Sequence, residues 1–388
     1  MYRRKSPLPP GRAMMAKKAF PFALLLMAVS LSLPAYHFRP RSAWDRATPR
    51  PIPRGVRMGF DYLWLSEREA LCLVWSRGGA VRAVRRDMRT WKETGVVAFF
   101  RFPAGAFLSP DAAWLLWDEG ARKTTDGSIY QRRAYRLTPL LPGRPPRRVA
   151  WRGPAGFRRT NGRSRDIAWL RDGKGWVEIC WPPLKNNVPQ SSDGSVAHLV
   201  EYRRDSGDAP ARNWPLPPPA GDIERVLGVT PDGRVLAATD RYYDGGLRKA
   251  IGPQLLALDY GAKRPATLRA FPVPLPPGEG WYIVDATLSP DGRRVAWLYS
   301  RKVHWLPDEL FARLGGRDYE GVQQSRLIVT DTRGGSRQEL GQRDIKLRSG
   351  KDMSGWFAPR WKTDNKRLSL MAWDEFTDTA TLWTLPTD

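Results

Sequence analysis

Histidine is nearly absent from this chain: 388 residues include only His37, His198 and His304. Three scattered imidazoles do not supply the ligand set of a multi-histidine metal site. Cysteine is equally scarce, with Cys72 and Cys180 alone. There is no Gly-x-Ser-x-Gly nucleophile elbow and no glycine loop of the spacing that cradles phosphates. A Ser-x-Asp-x-Gly-x-Thr-Trp box fails as well, because Gly292 directly follows Asp291 instead of standing two places on. These absences leave no cofactor and no metal to expect, and no residue to assign to catalysis.

Acidic residues are also under-represented. Lys and Arg total 64 against 39 Asp and Glu, a formal charge of +25, and only 14 of the cations are lysine. Such an excess attracts anionic partners. The cations are spread over almost the whole chain, without a compact basic helix or a basic patch interleaved with aromatics. That distribution argues against nucleic acid and leaves an anionic envelope surface as the charge-driven partner.

One long uncharged run exists. Residues 1–18 form a basic n-region with Arg3, Arg4, Lys5, Arg12, Lys17 and Lys18, and Ala19 to Tyr36 follow with no charge. This order reads as an export signal or a membrane anchor. Leu33 is a poor residue at the third position of a cleavage site after Ala35, and eighteen residues is close to the minimum for spanning, so both readings stand. Met14 or Met15 is an alternative start. Residues 37–58 hold six Arg and four Pro and read as a linker. The expected location is a bacterial-type cell envelope, periplasmic or otherwise extracytoplasmic.

What the chain has in abundance is a repeated turn. Anchored on Arg68 (a degenerate copy), Asp111, Asp172, Asp232, Asp291 and Asp364, the intervals are 43, 61, 60, 59 and 73 residues, a spacing typical of propellers and arrays. The residue three before each anchor is Leu65, Leu108, Trp169, Val229, Leu288 or Trp361; four after it stands Cys72, Leu115, Trp176, Leu236, Val295 or Leu368. All twelve are apolar. Apolar residues recur every second position after the turn, as in Val295 and Trp297, which is strand periodicity. Pro presets φ, Asp bonds its own backbone and Gly233 or Gly292 tolerates φ above zero, so Ser/Thr-Pro-Asp-Gly suits a tight reversal between strands. The anchor Asp residues are therefore structural.

Further apolar runs after each turn supply third and fourth strands, for example 253–260 and Thr267 to Val273. Four strands per unit and six units predict an all-β chain: a six-bladed β-propeller of four-stranded antiparallel blades over residues 59–388. The long last interval contains PDELFARLGG (307–316), which reads as a helical insertion. The final blade lacks an outer strand, and the segment from Pro51 to Arg57 is expected to supply it and remove an exposed edge. Cys72 and Cys180 fall in non-neighbouring blades, which excludes a disulfide between them.

LSPDGRRVAW (288–297), VTPDGRVLAA (229–238) and LSPDAAWLLW (108–117) resemble the WD-repeat-like propeller repeat of the TolB family. LRDGKGWVEI and KTDNKRLSLM are partial copies. The resemblance implies a six-bladed propeller of the kind often exported and often used to bind other proteins.

In such a propeller the anchor turns lie on one face, and the loops after the second strand open on the other. Those loops hold Asp118, Asp240 and Asp374 at the ends of second strands, with Arg241, Tyr242, Tyr243, His304 and Trp305 beside them. They are either hairpin caps or a ring of carboxylates binding a cation or a basic partner, with the anchor turns facing away. Two functions follow: a non-enzymatic, monomeric propeller that binds a protein or glycan at the envelope, or a lyase or glycosidase acting on an anionic polysaccharide through the same loops.

Overall fold

A computed structural model describes residues 43, 46–56, 58 and 61–387, apart from 76–79, 102–105, 119–121, 124–129, 132–133, 141–146, 151–166, 181–183, 186–187, 190–196, 206–209, 217–222, 224, 240–253, 262–263, 279, 305–320, 348–354 and 375–378. The basic n-region, the apolar run 19–36 and the insertion 307–316 lie outside the described residues. Among the described residues no helix is long and apolar enough to cross a membrane.

Six four-stranded antiparallel sheets form the blades of a β-propeller. Their inner strands are Asp61–Trp64, Ala106–Leu108, Ile167–Trp169, Arg225–Val229, Tyr282–Leu288 and Gly355–Trp361. The second strands carry near-continuous apolar sequence, such as EALCLVW in Glu69–Trp75. Successive side chains on a strand point to opposite faces, and here each face meets a neighbouring blade, so both must be apolar. In blade 1, Leu71 and Leu73 pack toward blade 2, whereas Ala70, Cys72 and Val74 pack toward blade 6. Each of the six blade interfaces has one such cluster. The residues four after the anchors, from Cys72 to Leu368, are all 0% exposed. Burial also pushes the Cys72 thiol up to about 12, so it is a core residue without thiolate reactivity. Neither cysteine is in a disulfide.

The anchor turns explain the repeated motif. In blade 5 the Gly292 N–H donates to Ser289 O (2.7 Å), closing a turn over Pro290 and Asp291. Ser289 Oγ accepts the Arg294 N–H at 2.9 Å, and Asp291 Oδ1 accepts the Arg293 N–H at 3.1 Å. Three other copies do the same, with Ala113 N–H on Asp111 (3.1 Å), Lys174 N–H on Asp172 (2.9 Å) and Lys366 N–H on Asp364 (2.9 Å), whereas in blade 4 the Arg234 N–H goes to Thr230 Oγ1 and Asp232 takes the Arg234 side chain. The residue after each anchor has a left-handed backbone in five blades: Ala112, Gly173, Gly233, Gly292 and Asn365. Gly is the residue that adopts it without cost. Blade 1 departs from this plan. Its Ser66 and Leu65 N–H groups both donate to Glu69 O, a tighter turn that frees Glu67 to point at blade 6.

The outer strand of blade 6 is Thr48–Pro51, which pairs antiparallel with Thr379–Pro386 from Thr48 opposite Thr384 to Pro51 opposite Thr381. This lies earlier in the chain than the expected Pro51 to Arg57, whose later residues turn away toward blade 1. The prolines explain the register. Ile52 N–H donates to Ala380 O at 2.9 Å, so residues 48, 50 and 52 face the partner strand. Pro49, Pro51 and Pro53, which have no N–H, face outward where no strand follows. A proline spacing that reads as linker is also the spacing of a blunted edge strand.

Two expectations follow. Ala112→Gly should raise the melting temperature, because a left-handed alanine costs about 1–2 kcal/mol against about 0.5–1 kcal/mol of extra chain entropy for glycine. Gly292→Ala should lower it, since the new Cβ would stand 2.6 Å from Arg171 Nη1 and 3.0 Å from Pro231 Cδ; scanning calorimetry of the pair reads both signs. Acid should unfold the protein in a defined window. The Arg234 bond holds the Asp232 carboxyl below its usual range, and the Thr90 and Arg89 amides with Arg68 bring Asp87 down to about 2. Depressed carboxylates stabilise above their unfolded values, near 4, and that contribution is lost as pH falls through the folded values. Stability measured by urea titration should therefore decline between about pH 4 and pH 2, and the double variant Asp87→Asn/Asp232→Asn should show a shallower decline.

Candidate functional site: the central channel

The six inner strands surround a cavity of about 560 Å³ on the propeller axis, within the range of small-molecule and peptide-anchor sites. Leu63, Phe107, Ile167, Leu227 and Leu288 line it. Each comes from a different blade, because the inner strand is the one every blade turns toward the axis.

Four charged side chains form an alternating chain at the channel. Arg360 of blade 6 donates to Asp61 of blade 1 through Nε (3.0 Å) and Nη2 (2.6 Å), and through Nη1 to Asp285 of blade 5 (3.3 Å). Asp285 also accepts from Arg225 Nη1 of blade 4 at 3.0 Å. Four consecutive blades are thereby joined. The chain is neutral overall, and its members are largely withdrawn from water, with side-chain exposures of 4% for Asp285, 12% for Arg360, 13% for Arg225 and 20% for Asp61. Both carboxylates already hold arginine. Among the described residues no group of three or more His, Cys, Asp or Glu could hold a metal ion.

Below this chain the tryptophans tie blade to blade. Trp169 Nε1 donates to Phe107 O of blade 2 (2.9 Å) and Trp361 Nε1 to Thr287 O of blade 5 (3.2 Å). Trp64 Nε1 donates to Ser369 Oγ of blade 6 at 2.8 Å. Each bond contributes about 1 kcal/mol in addition to the burial of the ring. Trp169 and Trp361 are 6% and 5% exposed. Trp176 is fully buried and stacks on Tyr202 at 5.5 Å. Trp117 and Trp297 instead bond across their own blades, to Thr138 and Thr330.

The anchor turns are part of the cavity wall. Ser109, Asp111, Arg171, Ser289, Pro290 and Thr363 border it, at the end of the axis opposite the loops that follow the second strands. Arg171 Nη1 of blade 3 reaches Pro290 O of blade 5 at 3.2 Å. The inner strand ends at this turn in every blade, so the turns necessarily ring one end of the axis.

At the opposite end, Asp118 and Asp374 close their second strands and His304 ends the second strand of blade 5. Their side chains lie outside the described residues, as do Asp240, Arg241, Tyr242, Tyr243 and Trp305. Short hairpins, Arg122–Lys123 with Tyr130–Gln131 and Leu184–Lys185 with Val188–Pro189, rise from the same loops of blades 2 and 3.

Sequence reading missed Asp61, Arg225, Asp285 and Arg360. The available signal was a charge inside an apolar inner strand, as in YIVDATL and FAPRW. Asp61 and Arg225 stand seven residues before their anchors, Asp285 six and Arg360 four, so no single repeat position marks them.

Arg360→Met would remove the arginine that Asp61 and Asp285 share and should destabilise the fold by about 3 kcal/mol in urea titration, with part of the loss recovered on adding Asp61→Asn. No family model and no curated protein matches the chain. Among solved structures it is similar to TolB from Acinetobacter baumannii, at 15% identity and a TM-score of 0.43 over 83% of this chain and 64% of that one. The chain thus spans less than two thirds of that protein's length. It is also similar to Kuenenia stuttgartiensis hydrazine synthase, at 15% identity and a TM-score of 0.42 over 84% and 80% of the two chains. A TolB-like protein from Agrobacterium tumefaciens, at 16% identity and a TM-score of 0.41 over 84% and 90%, has the same order of similarity.

Proposed function

We propose that this protein is a binding propeller of the cell envelope, exported or held there by residues 19–36, that takes a protein or glycan partner at its channel and loop face. The observation that carries the reading is the channel itself. Its cavity is preformed, lined both by apolar side chains of the inner strands and by polar groups of the anchor turns, and edged by a charge chain whose carboxylates already hold arginine. Such a site can accept an inserted side chain or sugar without having to pair a new buried charge. The export reading rests on the basic n-region followed by eighteen uncharged residues.

Asp118, Asp240 and Asp374, with Arg241, Tyr242, Tyr243, His304 and Trp305, are the loop residues assigned to partner contact. Three carboxylates at equivalent ends of second strands would select a cationic group on the partner.

The test is crosslinking in envelope extracts with the full chain and two variants. Ala106→Trp, which fills the channel, and the triple variant Asp118→Asn/Asp240→Asn/Asp374→Asn should each reduce the yield of a specific crosslinked partner by about tenfold, a loss of about 1.4 kcal/mol. Unchanged crosslinking by both variants, at unchanged melting temperature, would discard the channel and loop face as the binding surface.

A further inference from the structure

A second cavity, of about 550 Å³, lies at the junction of blades 6 and 1 on the turn face. We infer that this groove binds the phosphate of anionic lipid head groups, and that the propeller therefore rests on an anionic bilayer by its turn face. The inference deepens the envelope reading and depends on it only for the source of the phosphate.

The groove is lined by Arg50, Arg68, Arg89, Lys362 and Arg367, with Arg46 at its rim, and Glu67 is the one acidic residue of its lining. Glu67 is already engaged. Its carboxylate accepts Thr363 Oγ1 at 2.8 Å, the Asp364 N–H at 3.1 Å and the Arg367 guanidinium. Arg68 pairs with Asp87 at 2.5 Å yet keeps 62% of its side chain exposed. Arg50 donates to Met88 O (2.6 Å) and Arg89 O (2.7 Å), neutral acceptors that leave its charge uncompensated. Arg89 is exposed. Lys362 stands over the Trp64 ring at 4.3 Å and donates to Glu67 O at 2.9 Å. Five cations face three carboxylates, Glu67, Asp87 and Asp364, before Arg46 is counted. Arginine forks of this kind match phosphate oxygens.

The chain path supports a lipid source. The closing strand runs antiparallel to Thr379–Pro386, and its first residue, Thr48, pairs with Thr384 beside the turn-face end at Pro386. The chain therefore enters the propeller on the face that carries the groove. Nine residues lie between Tyr36, the end of the uncharged run, and Arg46, a chain reach of at most about 35 Å.

The experiment is flotation of the full chain, kept in a non-ionic detergent below its critical concentration on mixing, with vesicles of phosphatidylcholine alone or with one quarter phosphatidylglycerol. The uncharged run contributes alike to both compositions, so their ratio reads the charge. The wild type should favour the anionic vesicles by about tenfold or more at about 0.1 M salt, less at higher salt. Arg46→Glu/Arg68→Glu/Arg89→Glu should bring that ratio close to one. The control Arg212→Glu/Arg293→Glu/Arg333→Glu, equal in charge and exposed on other blades, should retain it. Should the groove triple fail to fold, Arg89→Glu alone should still lower the ratio. Equal loss in both triples would assign the effect to net charge and overturn the inference. So would an unchanged ratio in the groove variants. If inorganic phosphate raises the melting temperature of the wild type but not of the groove variants, while the vesicle ratio stays at one, the site takes a soluble phosphate and the lipid assignment falls. None of these outcomes touches the channel, so the partner-binding reading is tested separately.

Discussion

A ring of blades is stable only when its last blade meets its first, and here that seam is built from both ends of the folded region. Every other blade is sheet-paired within one stretch of chain. Blade 6 borrows Thr48–Pro51, and the chain then passes from that strand into the inner strand of blade 1. The seam is correspondingly dense in polar links. Tyr62 Oη meets Ser369 Oγ at 2.9 Å and donates to Ala358 O at 3.1 Å, Trp64 shares the same serine, and Arg360 clasps Asp61. Glu67 holds Arg367 and Thr363 on the turn face, and Arg50 holds the loop at Met88 and Arg89. Buried polar groups so connected are costly to leave unpaired, so the seam either forms completely or gains little.

This explains why the blade with the poorest repeat is not a decayed one. LSEREA lacks the Pro, Asp and Gly of the other copies, yet its Glu67 is the residue that grips the neighbouring turn. The motif describes a turn satisfied within its own blade. A turn that must reach across the seam cannot keep every part of it.

Much of the architecture was legible because it follows from local rules. The twelve apolar positions around the anchors, the strand periodicity and the turn chemistry are short-range, and the structure places all of the twelve but Leu65, which directly follows its strand, in inner and second strands. Legibility ended where long-range partners decide the outcome. Pro49, Pro51 and Pro53 read as a linker because the sequence does not display Ala380, whose carbonyl sets which residues face inward. Asp61, Arg225, Asp285 and Arg360 went unread for a related reason: they stand seven, seven, six and four residues before their anchors, so the charges that meet in space do not occupy one repeat position.

The alternating prolines of the closing strand have a consequence beyond the ring. The outward edge of blade 6 offers no N–H at positions 49, 51 or 53, so another chain's strand approaching that rim finds carbonyls but no matching ladder of donors. Thr48–Pro51 is the first strand of the propeller to be synthesised and pairs with one of the last. While it waits, its proline-poor face is exposed and its proline-rich face is mute, so a nascent chain can be mispaired from only one side. The same three residues that finish the fold also limit how it can go wrong.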